Sequence, residues 1–396
     1  MLRTRRGFFN VLRPEDSYRA TALLLAARGH EAYVAELQAQ GRTARPPLPP
    51  GVNEIRISSN ENPLGPGRRV LDAIVGKFPE AGRYPFNSTP SDATLVATLA
   101  NASKARPENV TLGAGSQEIL KSAVRAFTAA DRGLVTAAPT FENPTNIAKR
   151  LGHPVKEIQV DAAFKLDVEK MIAASPGAGL VFFNNPNNPT ATVHSAKTVA
   201  DFVARVHKAS PDTVILIDEA YHEYVTDPSY ATAVPLALET PNVIVARTFS
   251  KAYGMAGMRV GYGIGQAATI KRLARFKMPY NISVFGVAAA IAAIGDPDHL
   301  EAERKRNTEV RNFTVKALED LGCKCTDSQG NFLFVDIKRP NKDFRGACAK
   351  EGVMVGRDFP PFEKTHARIS MGTMEEMRKA VDVFRSVLKP STTAAR

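Results

Sequence analysis

The residues of this chain that could do chemistry together follow four apolar runs in its middle part. After these runs come a hydroxyl and an amide in a glycine-rich turn, a second amide, a carboxylate with a phenol, and a hydroxyl with an amine: Ser116 and Gln117, Asn188, Asp218 and Tyr221, and Ser250 and Lys251. Taken singly, each has an ordinary explanation, because most lysines lie on the surface and a serine or aspartate often caps a helix. Because such residues follow each of the four apolar runs, together they predict one shared site.

These functional groups match the needs of a phosphorylated pyridine aldehyde. A lysine amine can form a Schiff base with the aldehyde. A carboxylate beside the ring nitrogen keeps it protonated, so that the ring can accept electrons from a carbanion. An amide and a phenol can hydrogen-bond the ring hydroxyl. Free N–H groups at a helix start, with a hydroxyl and the nearby Arg259, suit a phosphate dianion. The set therefore predicts pyridoxal phosphate as the cofactor.

The runs that precede these residues predict buried strands. Each is rich in β-forming residues and about as long as a typical strand: residues 109–112, 133–137, 179–183, 213–217 and 242–246. From Ser116 the apolar positions follow helical spacing instead. Unbroken apolar strands with helices between them indicate a mostly parallel sheet with helices on both faces. Ligands bind beyond the carboxyl ends of such strands, which is where the polar residues lie.

The predicted fold class is α/β, with three parts along the chain. Residues 1–50 form an N-terminal arm, with a helix from Pro14 to Gln40 and a Pro-rich linker that cannot be helix or central strand. Residues 51–290 form the large cofactor-binding domain, although 51–75 could pack with the small domain instead. Residues 291–396 form a smaller α+β domain, with a strand from Phe332 to Ile337. The apolar stretch Val284 to Ile294 predicts a buried helix.

Two segments resemble a known family. The segment Ser250-Lys251-Ala-Tyr-Gly-Met-Ala-Gly-Met-Arg259 resembles the lysine segment of fold-type I aminotransferases, which depend on pyridoxal phosphate. The segment Ile57-Ser-Ser-Asn-Glu-Asn-Pro-Leu-Gly-Pro66 is similar to the histidinol-phosphate aminotransferase branch. The resemblance runs from about Ile55 to Leu388, with the motifs in the order that the family has.

Carried over position by position, the resemblance implies roles at the cofactor ring. Lys251 forms the Schiff base and then moves a proton between the donor and the cofactor. Asp218 pairs with the pyridine nitrogen, and Asn188 and Tyr221 face the ring hydroxyl. Phe141 stacks on the ring, where many relatives have tyrosine. These residues form the catalytic part of the predicted site.

The resemblance also implies residues for anionic groups. The cofactor phosphate is held by Ser116, Gln117, Ser250 and Arg259. Tyr84 reaches the phosphate of the neighbouring subunit, which implies a homodimer with shared active sites. The substrate is bound by Arg368, with Arg357 as a second anion contact and Asn62 from the opening segment. Two arginines predict a small anionic amino substrate.

The implied reaction moves an amino group to a 2-oxo acid in two half-reactions. The donor stays open between L-histidinol phosphate and an aromatic or other L-amino acid, because the chain departs from the family pattern at Ala191 and around Arg357. Relatives on this scaffold also decarboxylate phosphorylated amino acids or make other aldimine products, and a fold does not fix the reaction. A non-catalytic protein that reuses the fold is the third alternative, and the presence of Lys251 argues against it.

The composition adds few constraints. The formal net charge is +12, but the basic residues are scattered, so we expect neither a nucleic acid nor a membrane as partner. Cys323, Cys325 and Cys348 predict reduced structural thiols, and no spacing predicts a metal site. Arg5-Arg6-Gly-Phe-Phe resembles a twin-arginine export signal, but charged residues interrupt the apolar stretch that should follow. We expect a cytoplasmic protein and leave periplasmic export open.

Overall fold

The computed structural model describes residues 54–85 and 91–388. The predicted N-terminal helix, the Pro-rich linker and the twin-arginine-like segment lie outside these residues. The strands are β1 (Ile55–Ile57), β2 (Val110–Ala114), β3 (Leu134–Ala138), β4 (Val155–Gln159), β5 (Leu180–Asn184), β6 (Val214–Asp218), β7 (Val243–Thr248), β8 (Val260–Gly265), β9 (Lys324–Cys325), β10 (Phe332–Asp336), β11 (Val353–Val355) and β12 (His366–Ser370). The helices are α1 (Arg68–Gly76), α2 (Ser91–Ala102), α3 (Ser116–Phe127), α4 (Asn143–Arg150), α5 (Val168–Ala174), α6 (Ala196–Ala209), α7 (Val234–Glu239), α8 (Ala267–Ala274), α9 (Val284–Ile294), α10 (Pro297–Glu319), α11 (Asn341–Lys350) and α12 (Met374–Leu388).

The main sheet has the order β2-β8-β7-β6-β5-β3-β4 in the described part of the chain. β8 pairs antiparallel with both β2 and β7, and the other pairs are parallel. All five predicted strands are present within one or two residues of their expected ends, and the mostly parallel sheet is confirmed. Because only β8 is reversed, its amino end lies at the same edge as the carboxyl ends of its neighbours.

Both faces of the central strands of this sheet are buried. On β5 and β6, Val181 and Ile215 face one apolar core, whereas Phe182 and Leu216 face another. Such alternation arises because successive strand residues point to opposite faces. Helix α6 packs in the first core and α3 in the second, which confirms helices on both faces. Helix α9 has the predicted bounds, and none of the described helices is long and apolar enough to cross a membrane.

A further apolar core gathers residues from both ends of the described chain. Strand β1 pairs in parallel with β11, and Ile55 and Ile57 pack with side chains between Val310 and Phe384. Strands β12, β10 and β9 form an antiparallel sheet in the same region. The cysteines at 323, 325 and 348 carry free thiols. The first strand thus packs with the C-terminal elements, whereas Val70 of α1 packs in the first core of the main sheet. The domain boundaries, including the assignment of residues 51–75, stay a prediction.

Candidate active site

One cavity of about 450 Å³ lies at the carboxyl edge of the main sheet. Of the predicted site residues, those that line it are Ser116, Gln117, Phe141, Asn188, Asp218, Tyr221, Ser250, Lys251, Arg259, Arg357 and Arg368. Those that end or follow β2, β5, β6 and β7 come together because these four strands point the same way and end at one edge of the sheet. Arg259 joins them because it directly precedes the reversed strand β8.

The turn between β2 and α3 is built for close approach of backbone and ligand. Gly115 is the N-cap of α3 with φ +72, and in the described part of the chain the N-cap makes no side-chain hydrogen bond to the helix start. A Cβ at Gly115 would collide with the Arg259 guanidinium, and one at Gly261 would collide with the backbone nitrogen of Ser116. Free N–H groups at the start of a helix attract an anion. The turn therefore forms a glycine-lined cradle, a concave surface whose space a side chain at Gly115 or Gly261 would occupy.

Arg259 brings a positive charge to this turn. Its Nη1 donates to Ser250 Oγ at 3.2 Å, and its Nη2 donates to the carbonyl oxygen of Ala114 at 3.4 Å. Its own φ of 56° places the backbone in the left-handed region. Glu118 in the first turn of α3 accepts from the backbone N–H of Ala114 at 2.7 Å, which fixes the turn from the other side. The geometry suits a phosphate group.

Asp218, the last residue of β6, is a buried carboxylate with 3% exposure. Its Oδ1 accepts from the backbone N–H of Ala220 at 3.1 Å. Burial raises the pKa of Asp218 to about 7, although the Ala220 hydrogen bond and the charge of Lys251 both lower it. Such a group gains from a buried cationic N–H partner, because pairing offsets the cost of desolvation.

Lys251 lies among residues of the opening segment. Its Nζ donates to the carbonyl oxygen of Ser59 at 3.3 Å and lies 5.6 Å from the centre of the Tyr221 ring. The Tyr221 hydroxyl in turn accepts from Asn60 Nδ2 at 3.1 Å. The amine, the phenol and the carboxylate of Asp218 thus share one cavity.

Arg368, on β12, is a buried guanidinium with 7% exposure. Its Nη1 donates to Asn188 Oδ1 at 2.8 Å, and its Nη2 donates to the carbonyl oxygen of Ser58 at 2.6 Å. Its Nε has no hydrogen-bond partner among the described residues. Burial lowers the pKa of Arg368 to about 10. A buried donor without a partner is costly, so an anionic ligand would be stabilised here.

Arg357 lies at the more open side of the cavity, with 46% of its side chain exposed. Its Nη2 forms an ion pair with Glu142, and its guanidinium lies 4.2 Å from the centre of the Phe359 ring. Arg357 therefore has a carboxylate partner, whereas among the described residues no carboxylate forms an ion pair with Arg368.

Two predicted residues lie away from the cavity. Asn62 is buried, but its Nδ2 donates to the carbonyl oxygen of Ala252 at 3.0 Å and its Oδ1 accepts from the N–H of Leu64 at 2.9 Å. Its amide therefore fixes the segment after Lys251 rather than facing the cavity. Tyr84 is 62% exposed and its ring lies 4.7 Å from that of Tyr280. Its predicted contact involves a second subunit and stays a prediction.

Sequence reasoning assigned no role to several residues that line or shape the cavity. Ser59, Asn60 and Glu61 line it although they belong to the opening segment, and Glu142 pairs with Arg357 at its mouth. The only signal in the sequence was that the first three lie inside the segment that resembles the histidinol-phosphate branch.

The residues present fit pyridoxal phosphate. The glycine cradle and Arg259 suit its phosphate, and the buried carboxylate of Asp218 suits a protonated ring nitrogen. Lys251 supplies an amine in the same cavity, and Phe141 supplies a ring. In the described residues there is no cluster of three or more His, Cys, Asp or Glu that could hold a metal ion.

The comparisons with known proteins agree with this chemistry. The sequence model of the class I and II aminotransferases matches residues 52–384. A histidinol-phosphate aminotransferase of Moorella thermoacetica is 33% identical over 84% of this chain and 85% of that protein. A histidinol-phosphate aminotransferase 2 of Bacillus cereus is 34% identical over 84% of this chain and 87% of that protein.

Solved structures show the same fold. A histidinol-phosphate aminotransferase of Sinorhizobium meliloti, in complex with pyridoxal-5'-phosphate, has a TM-score of 0.78 at 27% identity, over 87% of this chain and 96% of that one. An L-threonine-O-3-phosphate decarboxylase of Porphyromonas gingivalis has a TM-score of 0.73 at 19% identity, over 84% and 99% of the two chains, which shows the fold alone. This chain belongs to the class I and II aminotransferases and is a transaminase that uses pyridoxal phosphate.

Proposed function

We propose that the amino donor of this transaminase carries a phosphate group, with L-histidinol phosphate as the leading candidate and a 2-oxo acid as acceptor. The observation that supports it most is the buried guanidinium of Arg368, whose Nε has no partner in the described part of the chain. A phosphate offers several acceptor oxygens to the N–H groups of a guanidinium. The names of the two relatives described above support the same donor.

The proposed roles at the cofactor follow the placement of the side chains. Asp218 would hold a proton at the ring nitrogen, and Tyr221 and Asn188 would hydrogen-bond the ring oxygen. Ser116, Gln117, Ser250 and Arg259 would bind the phosphate, and Phe141 would cover one face of the ring. All of these residues line the same cavity.

Lys251 has two tasks in this proposal. When bound, pyridoxal phosphate supplies a pyridinium that takes up the electron pair left at the donor carbon. Lys251 Nζ would bind the cofactor through its amine and, once the donor's amine has displaced it, would remove the proton from the donor Cα. The carbonyl oxygen of Ser59, which accepts from this Nζ at 3.3 Å, orients the amine in the described structure.

The proposed assembly is a homodimer with shared active sites. Tyr84 is exposed on the subunit described here, so its hydroxyl would have to reach the phosphate of a neighbouring subunit. This role comes from the family resemblance, and it requires that two subunits share their active sites.

The donor can be identified in a single half-reaction. The purified, cofactor-loaded enzyme is mixed with one amine and no acceptor, and the absorbance of the bound cofactor is followed. L-Histidinol phosphate is compared with L-histidinol, which lacks only the phosphate, and with L-phenylalanine. We expect kcat/KM to be roughly 100-fold higher for the phosphate ester, since it gains charged hydrogen bonds.

The result that would overturn the proposal is equal or faster reaction with L-phenylalanine or another unphosphorylated amino acid. Lys251→Ala serves as the control and should show no turnover with any donor. Release of carbon dioxide from a phosphorylated amino acid, without transfer to a 2-oxo acid, would instead favour the decarboxylase alternative.

A further inference from the structure

Asn60 connects the phenol of Tyr221 to strand β12. Its side chain is buried, with 1% exposure, and it lines the cavity. Its Nδ2 donates to Tyr221 Oη at 3.1 Å, and its Oδ1 accepts from Ser370 Oγ at 2.6 Å. We propose that Asn60 is a positioning residue that turns the proton of Tyr221 toward the ring oxygen of the cofactor. The inference rests on the proposed role of Tyr221.

The argument depends on how many protons each group has. A phenol carries one proton and can also accept hydrogen bonds. Because Asn60 supplies the hydrogen between Asn60 Nδ2 and Tyr221 Oη, the proton of Tyr221 is not used in that contact. The proton is available to an acceptor in the cavity that Tyr221 lines. With a carboxylate at position 60, the same contact would need the proton of Tyr221.

Ser370 fixes which end of the Asn60 amide faces Tyr221. The Ser370 hydroxyl accepts from the backbone N–H of Asn60 at 2.9 Å and donates to Asn60 Oδ1 at 2.6 Å. If the Asn60 amide were reversed, its NH2 group instead of Oδ1 would face Ser370 Oγ. Ser370 Oγ would then accept hydrogen bonds from both the backbone N–H and the side chain of Asn60, and the Ser370 hydroxyl proton would lose Oδ1 as its acceptor. Since Ser370 is buried, leaving this donor without a partner would cost free energy. The observed orientation is therefore the stable one.

The backbone around Asn60 holds the side chain in place. Asn60 has a φ of 53°, in the left-handed region that Asn and Gly tolerate better than most residues. The carbonyl oxygens of the two preceding residues accept from Arg368 Nη2 at 2.6 Å and from Lys251 Nζ at 3.3 Å. One short segment thus contacts Arg368, Lys251 and Tyr221.

The test is a pH titration of the cofactor-loaded enzyme without substrate, followed by absorbance. Donor hydrogen bonds to the ring oxygen favour its deprotonated form, so weaker donation moves the midpoint of the absorbance change to higher pH. Asn60→Gly removes the amide without straining the backbone, and we expect the midpoint to rise by about half a pH unit. Asn60→Asp should raise it further, because the carboxylate would accept the hydrogen bond of the Tyr221 hydroxyl and add a negative charge. Tyr221→Phe removes the hydroxyl itself, so its midpoint shift shows in which direction complete loss of this hydrogen bond moves the titration.

The controls separate this role from a structural one. Asn242 also has a positive φ, 57°, and lies outside the cavity, so Asn242→Gly and Asn242→Asp should leave the midpoint unchanged. Ser370→Ala should give an intermediate rise, since the amide keeps its donor but loses its orientation. The proposal is overturned if both Asn60 variants bind the cofactor and titrate like the wild type. No donor is present, so this outcome is independent of the donor's identity.

Discussion

The carboxylate of Asp218 makes the stability of the cofactor-free protein depend on pH. Burial raises the pKa of Asp218 from 3.8 to about 7, so the folded state holds this proton over a range in which the unfolded state has lost it. Stability from this group is therefore complete below about pH 4 and is lost as the pH rises toward 7. Asp218→Asn removes the effect, so the variant should gain stability relative to wild type by roughly 2 kcal/mol between pH 5 and 7.

Urea unfolding of the two cofactor-free proteins at a series of pH values measures this difference. Asp201, a surface carboxylate with 60% of its side chain exposed, provides the control, and Asp201→Asn should give a curve parallel to wild type. A constant difference between the wild type and Asp218→Asn from pH 5 to 7 would show that Asp218 is not a buried acid with a raised pKa.

Glu142 forms an ion pair with Arg357, so we expect it to compete with the donor's phosphate for this guanidinium. Their ion pair is exposed on both sides, at 46% and 41%, and such pairs are worth about 0.2–1 kcal/mol. Glu142→Gln frees the guanidinium, so we expect the KM for L-histidinol phosphate to fall roughly two- to fivefold, with kcat unchanged. The same variant should not improve the KM for L-histidinol, which lacks the phosphate.

Steady-state kinetics with both donors measures this effect. Glu169→Gln is a matched control, because Glu169 also forms an exposed ion pair, with Arg205 at 2.6 Å, and does not line the cavity. An unchanged or higher KM in Glu142→Gln would mean that Arg357 does not bind the donor's phosphate.

Residues that follow strands could be predicted, and residues of the opening segment could not. Lys251, Asp218 and Asn188 are found from sequence because parallel strands end at one edge and each end is marked by an apolar run. Asn60 contacts Tyr221 and Ser370 across 161 and 310 positions of sequence, with no periodic signal that links them. Its role depends on tertiary packing that places β1 beside the C-terminal elements.

At the scale of elements, the turn between β2 and α3 depends on glycine at position 115. A Cβ there would collide with Arg259, and the φ of +72 strains any L side chain. Gly115→Ala should therefore displace Arg259 and lower the affinity for pyridoxal phosphate by roughly tenfold or more, since charged hydrogen bonds are weakened. Titration of the cofactor-free protein with pyridoxal phosphate, followed by absorbance, measures it.

The control for this variant is Gly82→Ala. A Cβ at Gly82 meets no atom within 4 Å, so the substitution should leave cofactor affinity unchanged. Wild-type affinity in Gly115→Ala would show that the turn does not bind the phosphate.

Two strands of the main sheet were not predicted, each for a physical reason. β4 is an edge strand with half-exposed and exposed residues, so it lacks the apolar run that marked the others. β8 contains three glycines, which weaken the strand signal. At Gly261 the reason is close packing, because a Cβ would collide with the backbone nitrogen of Ser116. The same glycine that obscures the strand in the sequence allows the turn between β2 and α3 to approach it.

For the whole molecule, a shared active site predicts that two inactive variants restore each other. In a mixed dimer of Lys251→Ala and Tyr84→Ala subunits, the intact lysine of one subunit meets the intact tyrosine of the other. With random pairing, half of the dimers are mixed and each has one complete site, so activity should recover to about a quarter of wild type. The assay is run at limiting pyridoxal phosphate, where Tyr84→Ala alone is expected to be poorly loaded.

Mixing must follow reversible dissociation or coexpression of the two chains, so that subunits exchange. If Tyr84 served the site of its own subunit, every site in the mixture would lack either the lysine or the tyrosine, and activity would not exceed that of the separate variants. A pair of variants within one site, Lys251→Ala and Asp218→Ala, gives the baseline, because both residues line the same cavity of one chain and the mixed dimer then has no complete site. Recovery with Tyr84 and none with Asp218 would therefore place the phenol of one subunit in the active site of its neighbour.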